Sequence, residues 1–359
     1  MSRAGAVPRP APNRVSGPRI PGSATPPLIV SAYTAAPSIA GGNRRDESRF
    51  LAAIADLPAV GGIELPFGEE LRPFDEEWIT RRGPGRFGVV ITSIPDTVHR
   101  AVVDPRFGLA SHDREGRAHA VSRVRAIRDA VSRLVDDAGR QVVLAVQVHT
   151  APRRWSGYFD AGALIRSVAE LASWDWNGAV LAIEHCDSPT DPRHAVKGFA
   201  PLRDELVALG RVVDGGGCRV GASINWGRSA VEGRSVATPV EHIELARTSG
   251  LLVGVTFSGT SAVPTASGDA WDDGHPPPAP PPTGRFDRLE PRSLLTPTAL
   301  RAAFVAIGGV RPVFIGVKVS APAGADTDDR IAVVTQSVAV IDESAAAAVA
   351  RTCEDFCSL

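Results

Sequence analysis

This chain of 359 residues has no excess of charge of either sign and no long apolar run. Lys and Arg number 39 against 40 Asp and Glu, so the formal net charge is -1 and no basic field is available to hold nucleic acid or an anionic membrane. No apolar run approaches the roughly 20 residues that cross a bilayer. We therefore expect a soluble, cytoplasmic protein that binds a small, neutral or modestly charged ligand, and we leave open whether it forms a homo-oligomer.

Cysteine is scarce as well. The four cysteines, Cys186, Cys218, Cys353 and Cys357, lack the paired short spacings of a zinc ribbon and the density of a secreted disulfide scaffold. We expect reduced thiols. Cys353 and Cys357 could share one face of a terminal helix, where packing is the favoured interpretation over a metal site.

The first 27 residues differ from the rest of the chain in composition. They are rich in Pro, Gly, Ala and Arg and contain no apolar segment of the kind found in a signal peptide. Residues 1–27 are therefore predicted to be a flexible tail, or to result from a start placed too far upstream. A single folded domain is expected over residues 28–359.

Short runs rich in Val and Ile recur eight times from residue 28 onward, with helical spacing between them. They predict strands at 28–35, 61–67, 87–94, 141–150, 178–187, 219–227, 251–260 and 313–322. The segments between and after them predict helices near 46–57, 72–82, 113–137, 158–173, 197–213, 237–249, 296–308 and 326–351. Such apolar strands alternating with helices indicate a parallel sheet buried on both faces, and eight units fit a single-domain α/β (β/α)8 TIM barrel in size.

A doubly wound open sheet is the alternative. Its first strand-to-helix turn would be YTAAPSIAGG, which contains no G-x-G-x-x-G phosphate-binding pattern. The closed barrel is therefore favoured.

One long irregular segment interrupts the alternation after the seventh strand. Residues 261–292 include DDGHPPPAPPPTG, and the proline run favours an extended, partly mobile arm. In a barrel this loop would lie over the mouth, where it could be a lid or a tolerated insertion.

Polar residues recur near the ends of the apolar strands. Lys318 alternates with Val317 and Val319, and a lysine facing the apolar layer of helices would be costly, so Lys318 should point into the barrel. The same reasoning places further polar side chains there: Tyr33, Glu64, Thr92, Gln147, His149, Glu184, Asn225, Thr256 and Ser258. Packing alone does not require so many buried polar groups, and they predict a ligand site at the mouth.

Glu184 is the strongest single candidate, in the run LAIEHCD. Its carboxylate ends a buried strand, where it could abstract a proton next to a carbonyl or ligate a divalent metal. His185 has the opposite parity, so we expect it to face the helices in a structural role.

Five of the strand ends resemble those of an uncharacterised bacterial family of (β/α)8 proteins, a domain of unknown function related to the xylose isomerase-like barrels. The matching segments are GGIELPF, LAVQVHTAP, LAIEHCDSP, ASINWGRS and VTFSGTSA. The resemblance covers most of the chain after residue 28, and it implies the barrel fold more strongly than any one activity.

The resemblance also implies a divalent metal held at the ends of strands five to eight, with one glutamate on strand five and another on strand eight. Glu184 matches the first glutamate, whereas Asn225, Ser258 and Lys318 stand on the next three strands. Because an amide, a hydroxyl and an ammonium are poor ligands for Mg²⁺, Mn²⁺ or Zn²⁺, we expect either no cofactor or a metal held by Glu184 in an altered ligand set. Lys318 could replace the metal as the positive charge that stabilises an enediolate.

The leading interpretation is an isomerase or epimerase acting on a sugar-like polyhydroxylated carbonyl compound. Glu184 and Glu64 are the candidates for proton transfer, with Lys318 and His149 as electrostatic partners. The remaining candidates would bind substrate: Gln147, Asn225, Tyr33, Thr256, Ser258 and Arg228. The alternatives are a lyase or aldolase that forms a Schiff base at Lys318, and a non-catalytic sugar-binding or regulatory barrel.

Overall fold

Eight parallel strands close into a barrel in the computed structural model, which describes residues 26–213, 217–284 and 286–357. The strands are β1 Leu28–Val30, β2 Val60–Pro66, β3 Gly88–Thr92, β4 Val143–Val148, β5 Val180–His185, β6 Val220–Asn225, β7 Leu252–Ser258 and β8 Phe314–Lys318. Each strand pairs with the next along the chain, and β1 pairs with β8 to close the ring. The predicted (β/α)8 barrel is therefore confirmed, and the open sheet is excluded.

Helices surround the barrel. They are α1 Ala32–Ala35, α2 Arg44–Ala55, α3 Pro73–Glu77, α4 Ile94–Val103, α5 Arg114–Ala138, α6 Ala161–Ala172, α7 Leu202–Val213, α8 Trp226–Gly233, α9 Thr238–Thr248, α10 Pro297–Ile307 and α11 Thr327–Cys357. All eight predicted helices are present, the second continuing from α3 through one wide turn at Trp78–Arg82. The additional helices α4 and α8 follow directly after strands. The helix α8 has only eight residues and begins where β6 ends, so its first two residues fell within the predicted strand 219–227.

The prediction for the first strand was too long. The strand ends at Val30, and residues 32–35 form the short helix α1, so Tyr33 lies on this helix above the end of β1. The predicted tail of residues 1–27 lies almost wholly outside the described residues, as do the side chains of Cys353 and Cys357.

The barrel interior is apolar near the starts of the strands and polar near their ends. A cluster of apolar side chains fills the lower part: Ile29, Val90, Leu144, Ala145, Val180, Ala182, Val253 and Phe314. A larger apolar core lies between the strands and the helices. The lower cluster excludes water from the base of the barrel, so a ligand can approach only from the mouth, at the carboxyl ends of the strands.

One helix combines length with an apolar composition. The segment Thr327–Ala350 of α11 could cross a membrane by these two measures alone. Half of its most apolar stretch is buried, and the helix packs against α2 and α10. A core helix of a soluble protein passes the same test, so this feature does not by itself assign α11 to a membrane.

The seam between β7 and α10 offers a test of the core. Phe257 is fully buried, with its ring centroid 4.9 Å from that of Phe304. We expect Phe257→Ala to lower the free energy of unfolding by about 3–5 kcal/mol, because it removes a large buried side chain and leaves a cavity. Denaturant unfolding would measure the change. Val305→Ala is the control, since Val305 on α10 is 60% exposed and should change stability by no more than about 0.5 kcal/mol. Equal losses in the two variants would contradict the packing described here.

Candidate functional site

Most of the predicted site residues meet at the mouth of the barrel. They come from eight elements or their ends: Tyr33 on α1, Glu64 on β2, Gln147 on β4, His149 just after β4, Glu184 on β5, Asn225 at the end of β6, Arg228 on α8, Thr256 and Ser258 on β7, and Lys318 on β8. All of them except the half-buried Tyr33 are at most 3% exposed.

Glu184 is the centre of this group. Its Oε2 atom lies 2.8 Å from His149 Nε2 and 2.8 Å from Arg228 Nη1. Asn225 Nδ2 donates a hydrogen bond of 3.0 Å to the other oxygen, Oε1. Burial alone would raise the pKa of Glu184, but Arg228, Lys318 and His149 together hold it well below its ordinary value. Glu184 is therefore a fully ionised and fully bonded carboxylate.

His149 is neutral in this setting. Burial lowers its pKa to about 4, with Arg228 and Lys318 acting in the same direction against the attraction of Glu184. Ser93 Oγ lies 3.0 Å from His149 Nδ1 and itself accepts a hydrogen bond of 3.3 Å from Thr97 Oγ1. The hydroxyl proton of Ser93 is thus available to His149 Nδ1. We assign the tautomer in which His149 Nε2 carries the proton and donates a hydrogen bond to Glu184 Oε2.

Glu64 and Lys318 form a second charged pair in the mouth. Lys318 Nζ lies 3.5 Å from Glu64 Oε2, and Ser31 Oγ donates a hydrogen bond to the same oxygen. Burial raises the pKa of Glu64, although Lys318 partly offsets the effect. Burial would lower the pKa of Lys318, but Glu64, Tyr33 and Glu184 raise it well above its ordinary value. Lys318 is therefore an ammonium ion, and it lies 5.1 Å from the centre of the Tyr33 ring.

Two atoms in the mouth have unused hydrogen-bonding capacity. Gln147 Nε2 donates to Ser223 Oγ at 3.1 Å, but Gln147 Oε1 is buried without a hydrogen-bond partner among the described residues. Lys318 Nζ is likewise buried and lacks a hydrogen-bond acceptor there. Because buried polar atoms are normally paired, these two atoms are suited to meet polar groups of a ligand.

The long loop after β7 supplies residues that the sequence analysis missed. Asp273 accepts a hydrogen bond of 3.0 Å from Arg228 Nε and also pairs with Lys197. His275 Nδ1 lies 2.7 Å from Ser258 Oγ and 3.2 Å from Asp273 Oδ1. Arg228 thus connects Glu184 inside the barrel to Asp273 on the loop. The only sequence signal for these residues was the run DDGH within the segment already identified as irregular.

The loop backbone is strained beside this contact. Trp271 and His275 have φ angles of 59° and 57°, in the left-handed region that residues with a Cβ seldom adopt. The ion pairs of Asp273 lie between them. Strained backbone of this kind persists only where surrounding contacts hold it, and it is common at ligand sites.

A cavity of about 550 Å³ opens next to the charged group. It is lined by Tyr33 and Thr34, by the loop residues Ala266 and Ser267, and by the segment after β8: Ser320, Ala321, Pro322, Ala323, Gly324 and, on α11, Arg330. Tyr33 therefore contacts both the cavity and Lys318.

His185, next to Glu184 in sequence, faces the helices as predicted. Its Nδ1 lies 2.8 Å from Glu205 Oε2 and its Nε2 lies 3.0 Å from Glu232 Oε2. Burial would lower the pKa of His185, but these two carboxylates raise it to about 10. Asp187, just beyond β5, accepts hydrogen bonds from the backbone amides of residues 196–198.

The residues of the mouth do not fit a divalent metal. Glu184 is the one carboxylate on the last four strands there, and both of its oxygens already accept hydrogen bonds or ion pairs. The cations Arg228 and Lys318 would repel a second positive charge. Within the described ranges, the group of side chains placed to share a metal ion lies instead outside the barrel wall: His185, Glu232 and His242.

Comparison with known proteins assigns the family. Residues 29–333 match the model of a domain of unknown function, DUF4862. The chain belongs to this family. An uncharacterized protein of Salmonella typhimurium strain LT2 is 32% identical over 316 residues, which cover 86% of this chain and 95% of that protein.

Solved structures share the fold of this DUF4862 member. The IOLI protein, crystallised with a binding zinc atom, superposes with a TM-score of 0.52 at 11% identity, covering 89% of this chain and 99% of that one. A D-tagatose 3-epimerase-like protein gives 0.49 at 14% identity, with the same coverage. A xylose isomerase domain protein of Alicyclobacillus acidocaldarius gives 0.47 at 17% identity, covering 90% and 99%. The neighbours are xylose isomerase-like and sugar epimerase barrels, and at these identities the likeness shows the fold alone.

The protonation of His149 provides a test of the site. Its ordinary pKa is 6.5, and burial lowers it to about 4, so we expect its imidazole to remain neutral until the pH falls towards 4. Since the unfolded chain binds this proton at higher pH, the same shift should reduce stability as the pH falls from 6.5 to about 4. Histidine-selective ¹⁵N NMR would follow the titration, with His149→Gln used to assign the signal. A His149 signal that titrates above pH 6 would contradict this geometry.

Proposed function

We propose that this protein is an isomerase or epimerase that acts on a sugar or a similar polyhydroxylated carbonyl compound by proton transfer at the barrel mouth. One observation carries the proposal. The Glu64 carboxyl, with its raised pKa, lies 3.5 Å from the ammonium of Lys318, which has no hydrogen-bond acceptor among the described residues. Lys318 in turn lies 5.1 Å from the ring of Tyr33, which lines the cavity. A proton carrier and a positive charge thus stand side by side behind Tyr33, which lines a ligand-sized cavity.

Glu64 is better suited than Glu184 to carry the proton. A general base works best when its pKa is near the working pH, and burial raises the pKa of Glu64 in that direction. Glu184 has a lowered pKa and three polar partners. We propose that Glu184 orients His149 and Arg228. Of the two glutamates considered for proton transfer, we therefore assign that role to Glu64, although the sequence favoured Glu184.

Lys318 would stabilise the charge that develops during the reaction. Glu64 removes the proton from the carbon next to the carbonyl, and the electron pair moves onto the carbonyl oxygen to give an enediolate. The ammonium of Lys318 pairs with that oxyanion, as an electrostatic catalyst does. A proton then passes between the two oxygens, and Glu64 returns its proton to the neighbouring carbon. Epimerisation would need a second proton donor on the opposite face of the enediolate, in addition to Glu64.

The remaining polar groups would hold substrate hydroxyls. Gln147 Oε1 is a free acceptor, and Ser258 and Thr256 line the mouth on β7. Asn225 and Arg228 are already bonded to Glu184, so they would act on a ligand only through that carboxylate or after rearrangement. Because the charged group is buried under the long loop, productive binding requires residues 261–284 to open and close over the ligand.

The Schiff-base alternative is less well supported. A lysine attacks a carbonyl as the neutral amine, and the raised pKa of Lys318 keeps it as the ammonium. Borohydride should therefore fail to trap a covalent adduct at Lys318 with any carbonyl compound that the protein processes. A trapped adduct on this residue would favour the lyase or aldolase.

Proton exchange in D₂O tests the main proposal. We expect the wild-type protein to exchange carbon-bound hydrogen in at least one member of a panel of aldoses, ketoses and their phosphates, measured by ¹H NMR. Glu64→Gln should reduce the rate by about 10²–10⁴-fold, the usual contribution of a general base. Lys318→Met should also reduce the rate, because the oxyanion loses its cation. Glu115→Gln is the matched control, since its side chain is 86% exposed, on α5.

The exchange experiment also distinguishes the enzyme from a non-catalytic sugar-binding barrel. Exchange that survives Glu64→Gln at the wild-type rate would contradict the assignment of the base. A sugar that binds, detected by thermal shift, without exchange by the wild-type protein would contradict the enzyme and support the non-catalytic sugar-binding barrel.

A further inference from the structure

A second polar cluster lies on the outer side of the barrel wall, behind the mouth. It joins His185 at the end of β5 to Glu232 on α8 and His242 on α9. One ligand atom from each side chain lies within 4.8 Å of the other two. The two closest approaches are 3.0 Å, from His185 Nε2 to Glu232 Oε2, and 3.7 Å, from His242 Nε2 to Glu232 Oε1.

A hydrogen bond at Nδ1 orients each histidine ring of this cluster. Glu205 Oε2 lies 2.8 Å from His185 Nδ1, and Ser229 Oγ lies 3.0 Å from His242 Nδ1. Each outer partner engages the ring nitrogen that points away from Glu232, and so directs the two Nε2 atoms towards the same carboxylate. Metal-binding histidines are held in this way by a carboxylate or another polar group on the second nitrogen.

We propose that His185, His242 and Glu232 bind a zinc ion on the outer face of the barrel. Two imidazoles and one carboxylate are a ligand set that Zn²⁺ favours, and in such three-residue sites water takes the fourth position. The side chain of His185 is fully buried, while Glu232 and His242 remain 18% and 13% exposed, which provides a path for the ion.

The charges of the cluster also suit a divalent cation. Glu205 and Glu232 bring two buried or partly buried carboxylates to one imidazole. Zn²⁺ would displace the proton that lies between His185 Nε2 and Glu232 Oε2 into solvent. The bound ion then replaces the positive charge of the imidazolium and balances the two carboxylates, with Glu205 still accepting the proton on His185 Nδ1. The ion would replace the hydrogen bond between His185 and Glu232, and would connect the end of β5 to α8 and α9.

Zinc chloride added to the full-length, chelator-treated protein tests this site. Calorimetry, and metal analysis after gel filtration, should show one zinc per chain in the wild type. His242→Gln and Glu232→Gln should abolish stoichiometric binding and the rise in Tm on adding zinc. Ser229→Ala, a mild change at an outer partner, should weaken the affinity by about 10–100-fold. His99→Gln, an exposed histidine on α4, is the matched control and should bind as the wild type does.

The zinc-binding measurements can support the site or overturn it. Loss of zinc in the cluster variants and retention in His99→Gln, with folding checked by circular dichroism, would support the site. Absence of stoichiometric zinc binding in the wild type would overturn it. Binding that is equal in the wild type, Ser229→Ala and His242→Gln would also overturn it, because the ion would then lie elsewhere.

Discussion

The buried negative charge of Glu184 constrains the upper half of the barrel. An ionised carboxylate at this depth is stable only if cations and hydrogen-bond donors surround it. Arg228, His149 and Asn225 supply them from three different elements, and Arg228 must in turn be balanced by Asp273 of the long loop. One charge in the wall therefore determines how α8 and the loop are placed over the mouth.

This arrangement explains the division of the barrel interior into two halves. Apolar side chains near the strand starts fill the base, where no ligand can enter. Near the strand ends the same inward positions carry acids, amides, hydroxyls and Lys318. A barrel that needed only stability would continue the apolar layers upward, since paired buried charges contribute little net stability compared with packed hydrocarbon. We therefore attribute the polar half to the proposed ligand site.

Strand periodicity allowed the barrel and most of the mouth to be predicted, because inward and outward positions alternate along each strand. That rule placed Glu64, Glu184 and Lys318 inside and His185 outside. The alternation does not apply to irregular segments, which is why Asp273 and His275 of the long loop were missed. It also could not show that Glu184 would be saturated by partners while Glu64 kept a raised pKa, since both depend on neighbours distant in sequence. Tyr33 was assigned to a strand because the apolar run continues past the point where the backbone turns into α1.

The adjacent residues Glu184 and His185 belong to the two different sites proposed above. Their side chains leave β5 on opposite faces, so the barrel wall separates the group around Lys318 from the group around Glu232. On the inner face an ammonium and a guanidinium occupy the surroundings of the carboxylate, and their charge opposes a metal there. On the outer face two carboxylates and two imidazoles meet, and within the described part of the chain none of them pairs with a lysine or arginine. The alternation that builds the barrel thus places Glu184 among cations on the inner face and His185 among carboxylates on the outer face.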